Sequence, residues 1–453
     1  MSSTERVVRS SLPVAIGTAL SRLTGMVRLA AMAYALGFDR LADSYNLANT
    51  TPNIVYELLL GGVLSATLVP VFVEQRENND DHATSAVVTV TTVALVLLTG
   101  LGILVAPAVV RLYTLRLSDP TTAHAQQEVA TALLRMFMPQ MLFYGLTAIA
   151  TALLNARRHF AAPAVTPVFN NLLVTAIFLA LPRISRGHLT LEGVRHDHLT
   201  MLLLGVGTTA GIAAMALPLL PAMRRAGIRL RPVFDLRHPA VRKVVRMSGW
   251  TAGYVAVNQA ALWLVLVLAN ATRGGVSVYQ GAYVFFQLPH GLVAVSLMTT
   301  LTPELAETAT RQDFAGFRRN FALGLRLMAL AILPAAAGLF VLAHPVVTLL
   351  LQRGALTAAQ SGVTAACVAL FAVGLLPFSL YLYALRGFYA LHDTKTPFII
   401  NCWENLINVG VAVVLYPMFG VQGLAFSFSV AYAVAAVLAL RSLSGRTGGL
   451  GID

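Results

Sequence analysis

Charge is what this sequence has least of. Asp, Glu, Lys and Arg together make up 11% of its 453 residues. A soluble domain carries about a quarter, because its whole surface must be wetted. A water-facing globule is therefore excluded, and most of the outer surface must lie against lipid. Cysteine is nearly absent: Cys367 and Cys402 both sit inside apolar runs, which excludes a disulfide framework and a cysteine metal set. Catalytic templates are missing too. No P-loop, HExxH or Ser-His-Asp pattern occurs, so neither an ATP-driven pump nor an enzyme is expected, and no cofactor. His188, His196 and His198 share a loop, but their spacing is generic and no metal site is expected from them. What is abundant is apolar: 57% of residues are hydrophobic, with a mean hydropathy of +0.73. The net charge of +13 belongs to short loops and leaves no basic face for nucleic acid.

A membrane-spanning helix needs roughly 20 mainly apolar residues. About twelve such segments occur, near 10–35, 43–72, 85–110, 129–154, 161–181, 200–222, 242–269, 276–305, 320–342, 358–388, 397–417 and 420–441. The N-terminal run has no small-residue cleavage site and contains arginines, so it reads as a mature helix and not a signal peptide. With the N-terminus inside, roughly nineteen Lys and Arg fall in cytoplasmic segments against about eight outside. Both termini are then expected in the cytoplasm. The strongest basic block runs from Arg224 to Arg246. It divides the chain into an N-terminal six-helix lobe (1–222), a cytoplasmic linker (223–241), a C-terminal six-helix lobe (242–441) and a cytoplasmic tail (442–453).

The two halves resemble each other. ALLNARRHFAAPAVTPVFNNLLV and ALRGFYALHDTKTPFIINCWENLINV align with Ala156 over Ala390 and Asn171 over Asn405, an offset of about 234 residues. A nearly equal offset brings LSATLVPVFVE onto LMTTLTPELAE, with Pro70 over Pro303 and Glu74 over Glu307. Two segments agreeing on one offset indicate a duplicated unit. Six helices being an even number, the copies share one orientation, as parallel repeats with a substrate path between them.

Polar residues collect where hydrocarbon should not tolerate them. An ionisable side chain inside a span costs a few kcal/mol and so faces a partner or a water-filled cavity. Ser21, Arg22, Gly25 and Arg28 lie in SRLTGMVR of the first segment. Arg22 and Arg28 are six apart, about 120° around the axis, so one broad cavity face can hold both. Both lie too deep to reach headgroups cheaply, and paired guanidiniums predict an anionic, phosphate-bearing substrate. The second segment opens ADSYNLANTTPNIVYE. It carries Asp43, Asn49, Asn53 and the deep acid Glu57, and is interrupted by Pro52. Glu57 is expected to pair with Arg22 or Arg28, or else to titrate, while Gly61 and Gly62 permit bending or close packing. In the second half, Arg386 and Glu404 are expected to pair with each other, and His290 to be a hydrogen-bonded structural residue.

On SRLTGMVR followed by ADSYNLANTTPNIVYELLLGGVLSATLVPVFVE, the chain resembles the MurJ (MviN) lipid II flippases. These belong to the multidrug/oligosaccharidyl-lipid/polysaccharide exporter superfamily, and PNIVYELLLGGVLS looks most like actinobacterial members. The resemblance implies an all-α polytopic protein of two six-helix lobes around a cationic cavity, alternating between inward-open and outward-open states. It implies the bacterial cytoplasmic membrane as location, with membrane lipids around the protein. Its implied substrate is lipid II, undecaprenyl-pyrophosphate carrying a disaccharide-pentapeptide. The family positions that carry over are Ser21, Arg22, Gly25, Arg28, Asp43, Pro52 and Asn53. With Asn49 and Glu57 added from the polar pattern of the second segment, the expected substrate set is Ser21, Arg22, Arg28, Asp43, Asn49, Asn53 and Glu57, with Gly25, Pro52, Gly61 and Gly62 as conformational positions. A monovalent coupling ion and cell-wall synthesis or division proteins are the further partners it suggests. The sequence departs from the family at Leu29, where many members have an acid. It departs also near Tyr56 and Val284, where cavity arginines are expected, and in showing about twelve segments where members usually carry two more. The other readings are a flippase for another polyprenyl-linked polysaccharide, a cation-coupled drug exporter and a non-transporting membrane scaffold. An exporter of cationic drugs would need an acidic cavity, where Arg22 and Arg28 make this one basic; the missing cations allow the scaffold.

Overall fold

The computed structural model describes residues 3–57, 68–78, 80–185 and 189–451, and the side chains of 3–15, 55–56 and 247–252 lie outside that description. Every regular element among the described residues is a helix, and the chain divides into two compact units, Met1–Ala256 and Val257–Asp453. The division falls inside a helix and not in the basic linker. The linker is tied to the first unit by hydrogen bonds from the Arg231 and Val233 amides to Ser85 Oγ (3.3 Å) and Thr89 Oγ1 (3.1 Å).

In the first unit the helices are α1 (Ser3–Leu36), α2 (Arg40–Glu57), α3 (Val69–Glu77), α4 (Asp81–Tyr113), α5 (Pro120–Phe137), α6 (Gln140–Ala156), α7 (Ala161–Ile184), α8 (Leu191–His196), α9 (His198–Ala216), α10 (Leu219–Arg225) and the start of α11 (Pro239–Ala271). α7 packs against α1 on one side and α9 on the other, while α2 packs on α5 and α6. The α1–α7 contact is close because Gly17 has no side chain: a Cβ there would meet the Ala164 carbonyl oxygen at 2.9 Å. Side-chain caps start α4 (Asp80 accepting from the Ala83 amide), α5 (Asp119, with Pro120 next) and α9 (Asp197).

The second unit continues with α12 (Gly275–Pro289), a π turn (His290–Ala294), α13 (Val295–Thr310), α14 (Phe314–Val341), α15 (Ala343–Leu351), α16 (Ala358–Val373), α17 (Leu375–Ala390) and α18 (Lys395–Thr447). α18 is two helices run together, bent at Gly420, whose φ of 55° and ψ of −136° a side chain would oppose. Its core is aromatic: Phe286, Phe371 and Phe428 have ring centroids 5.3–5.7 Å apart.

Every expected apolar segment falls on a helix or a broken pair of helices, apart from 58–67, outside the described residues. Breaks come at Pro139 between α5 and α6, at Pro218 between α9 and α10, and at Gly374 between α16 and α17. Among the described residues eight helices are long and apolar enough to cross a membrane, nine counting α16 with α17. Lipid-facing character is plainest on α4, where Leu97, Leu101 and Leu104 are exposed. Large exposed apolar areas of this kind mark contact with a membrane or a partner.

The internal repeat holds at the level of single residues. α6 and α17 end at Ala156 and Ala390, α7 and α18 begin at Ala161 and Lys395, and the turns between them hold positive φ at Arg158 (62°) and His392 (57°). Tyr45 meets Phe137 edge-on at 5.4 Å, and Tyr279 meets Phe371 edge-on at 5.2 Å. Asp80 caps α4 as Asp313 caps α14.

Candidate functional site

The N-terminal site is built on α1, α2 and the helices that hold them. On α7, Asn171 Nδ2 donates to the Ser21 carbonyl (3.1 Å) and to Thr24 Oγ1 (3.0 Å), fixing the middle of α1. This clasp orients the turn between Arg22 and Arg28. Arg22 is exposed on the unit and Arg28 half-buried, and neither has a hydrogen-bond or ion-pair partner among the described residues. Gly25 lies between them; a Cβ there would sit 3.6 Å from Asn171 Nδ2, an ordinary contact, so packing alone does not require glycine.

α2 is held by hydroxyl groups. Tyr45 bonds Thr208 on α9 at 3.0 Å, and the Tyr144 hydroxyl on α6 donates to Asn53 Oδ1 at 2.8 Å. Asn49 is half-buried, and its Oδ1 has no hydrogen-bond partner among the described residues. Pro52 is buried inside the helix. Arg28 is in electrostatic reach of Tyr45, and Arg22 of Glu57. Going back along α1 thus corresponds to going forward along α2. Glu57 is exposed and makes no ion pair with either arginine at contact distance among the described residues. Asp43 lies at the far end of α2, about 21 Å from Glu57 along the helix axis. Its side chain is fully buried and 4.0 Å from the Arg40 guanidinium. The structure thus sets Arg22, next to Ser21, in reach of Glu57, and Arg28 in reach of Tyr45, toward the other end of α2 where Asp43 is buried. Gly61 and Gly62 lie outside the described residues, as does His188.

The second unit has a polar corner of its own. Asn405 Nδ2 on α18 donates to Asn258 Oδ1 on α11 at 3.3 Å, and Ser427 Oγ donates to Asn408 Oδ1 at 3.0 Å. Between these, Glu404 is 2% exposed, and its Oε2 has no hydrogen-bond partner among the described residues; the same holds for Asn401 Nδ2. The expected Arg386–Glu404 pair is not formed. Arg386 points outward from α17 while Glu404 is turned into the helix packing. His290 is structural as expected, with Nδ1 3.0 Å from Ser379 Oγ and its ring edge-on to Phe378.

Sequence reasoning missed Asn171, Tyr45 and Tyr144 as positioning residues. Asn171 was visible as the repeat partner of Asn405, but Thr24 as its acceptor was not. On the loop face of the first unit, a cleft of about 910 Å³ is lined by Arg76, Arg157 and Arg158. There the Arg76 guanidinium donates to the Ala156 carbonyl, Arg157 donates to the Ala226 carbonyl, and Lys243 pairs with Glu74 at 2.5 Å. The loops near 74–81, 155–160 and 223–243 therefore share one end of the unit.

Duplicated helical units, apolar outer faces and a buried polar corner in each half define a polytopic membrane transporter. The fold is shared with solved structures of such proteins. One is a lipid II flippase MurJ in an inward closed conformation, with a TM-score of 0.79 and 22% identity, covering 95% of this chain and 87% of that one. Another is an inward-facing multidrug resistance MATE family transporter, with a TM-score of 0.75 and 12% identity, covering 95% and 98%. The family model for lipid II flippase MurJ matches residues 32–451, and the chain belongs to that family. Curated relatives include the probable lipid II flippase MurJ of Rhizobium meliloti, 30% identical over 97% of this chain and 81% of the relative. The lipid II flippase MurJ of Burkholderia cenocepacia is 29% identical, over 97% and 84%.

Proposed function

We propose that this protein moves lipid II across the bacterial cytoplasmic membrane by alternating access of its two repeats, with Arg22 and Arg28 meeting the pyrophosphate. The observation that carries this reading is an uncompensated cation inside the apolar run of α1. Arg28 is half-buried with no ion-pair partner among the described residues. Such a charge is costly in a membrane unless an anion or water meets it. A guanidinium suits phosphate oxygens in geometry and charge. Ser21, Asn49, Asn53 and Glu57 supply the polar wall beside it, and Asp43 with Arg40 anchors the start of α2. Pro52 and the Gly25 turn are the places where α1 and α2 change shape between states. The shared end of the loops at 74–81, 155–160 and 223–243 carries the basic block, which supports cytoplasmic termini by the positive-inside tendency.

The test is translocation of lipid II in reconstituted vesicles. Arg22→Ala and Arg28→Ala should each lower the rate by at least about tenfold, and together abolish it. Full translocation by the double variant would overturn the assignment. Coupling to a monovalent ion finds its best support in the second unit, where Glu404 offers a buried carboxylate oxygen beside Asn401 and Asn405. Glu404→Gln should then leave lipid II binding intact and make transport insensitive to the ion gradient.

A further inference from the structure

A cluster on the loop face of the first unit has chemistry that transport does not use. Asp80, His82 and His238 each offer one donor atom, and the three atoms lie within 4.8 Å of one another. The two imidazole rings have centroids 5.7 Å apart. Asp80 and His82 stand at the start of α4, and His238 ends the basic linker one residue before α11. We propose that these three side chains form a transition-metal site of the Zn²⁺ class that clips the end of the linker to the start of α4.

The donor set is suited to the task. Two imidazoles and a carboxylate are what Zn²⁺ and its neighbours prefer, and three protein ligands leave a fourth position for water. Metal bonds of roughly 2.0–2.1 Å bring tetrahedral donors to about 3.3 Å from each other. Closing from 4.8 Å asks only for small side-chain rotations, and His82 is exposed enough to make them. Asp80 Oδ1 is engaged by the Ala83 amide at 2.8 Å, which leaves Oδ2 for the ion. His238 Nδ1 accepts a long 3.2 Å bond from the Ala240 amide. Binding through either ring nitrogen gives up that bond, by direct displacement or by the tautomer change.

The repeat separates the structural role of Asp80 from the rest. Asp313 caps α14 in the same way, yet the residue after next is Ala315, where His82 stands in α4. A helix start of this kind therefore needs the aspartate and not the imidazole. The linker already lies along α4 through Ser85 and Thr89. A metal at its end would hold the last free stretch before α11, the helix that leads into the second unit.

The full-length chain, purified in detergent with any affinity tag removed, can be titrated with Zn²⁺ by calorimetry and with Co²⁺ followed by its visible absorption. One ion per chain is expected, with Co²⁺ bands of low coordination number. His82→Ala and His238→Ala should each weaken binding by at least about tenfold. Asp80→Asn, which still accepts the helix-capping bond, should weaken binding while the melting temperature holds. Amide exchange over 229–238 should slow with Zn²⁺ in the wild type and not in the double histidine variant. No binding by the wild type, or equal binding by a folded double variant, would overturn the site. Tight binding without slowed exchange would overturn the clip.

Discussion

The corner formed by α1 and α7 and the corner formed by α11 and α18 are copies of one design with ionisable groups of opposite kind, basic in the first and acidic in the second. In each, an asparagine on the later helix reaches a polar atom on the earlier one: Asn171 to Thr24, and Asn405 to Asn258. Both pairs sit at the same offset of about 234 residues. The neighbours differ. Arg22 and Arg28 have Ala256 and Leu262 at the equivalent positions, so the cations belong to the first unit alone. Glu404 stands where the first unit has Asn170, and both are buried with one side-chain oxygen unpartnered among the described residues. The duplicated scaffold thus keeps its clasp and varies what the clasp presents. One copy carries fixed positive charge, and the other a buried acid.

The sharpest way to break this comparison is to exchange the acid. Asn170→Glu puts a carboxylate into a packed site where the side-chain oxygen has no hydrogen-bond partner among the described residues, and should cost about 3 kcal/mol or more, seen as a lowered melting temperature and yield. Glu404→Gln removes a buried ionisable group of that kind while keeping its shape, and should leave the melting temperature level or raised. Equal losses from both would show that the acid is paired and the two corners are not opposites.

The clasps themselves predict a smaller, matched effect. Asn171→Ala and Asn405→Ala should each cost roughly 0.6–1.7 kcal/mol, the range for hydrogen bonds between helices in membranes. Double-mutant cycles with Thr24→Val and Asn258→Ala should give similar coupling energies in unfolding titrations. A coupling near zero in one unit would mean that the repeat preserves its geometry there without its energy.

The least effect concerns the helix starts. α5 is capped by Asp119, whose carboxyl is pushed down to about 2 by hydrogen bonds from the Thr122 and Thr121 hydroxyls and amides. α16, its counterpart, is capped by Thr357 in a capping box with Gln360. A depressed carboxyl contributes stability above its unfolded value of 3.8 and loses it as pH falls through about 2. Acidifying from about pH 5 toward pH 2 should therefore lower the amide protection factor, the ratio of intrinsic to observed exchange rate at the same pH, in the first turn of α5. The first turn of α16 should not change. Asp393 is lowered in the same way, with a guanidinium added. Burial raises its carboxyl, but hydrogen bonds from Thr396 and Lys395 and the Arg446 guanidinium outweigh this and hold it below the usual range.

Much of this molecule was legible in its residues because the signals are local. Scarce charge forces a lipid-facing surface, and apolar run length sets the helices. A constant offset reveals duplication whatever the fold. The burden of buried charge on α1 and α2 was readable for the same reason: an arginine deep in an apolar run stands out without its surroundings. The rotation of each helix was not readable. In a membrane both the outer face and the packed face of a helix are apolar, so hydrophobic periodicity does not say which side turns inward. Only the tertiary structure turned Glu404 inward and Arg386 outward, gave Asn171 to Thr24, left Arg28 without a partner among the described residues, and brought His238 from the end of a linker to the side of His82.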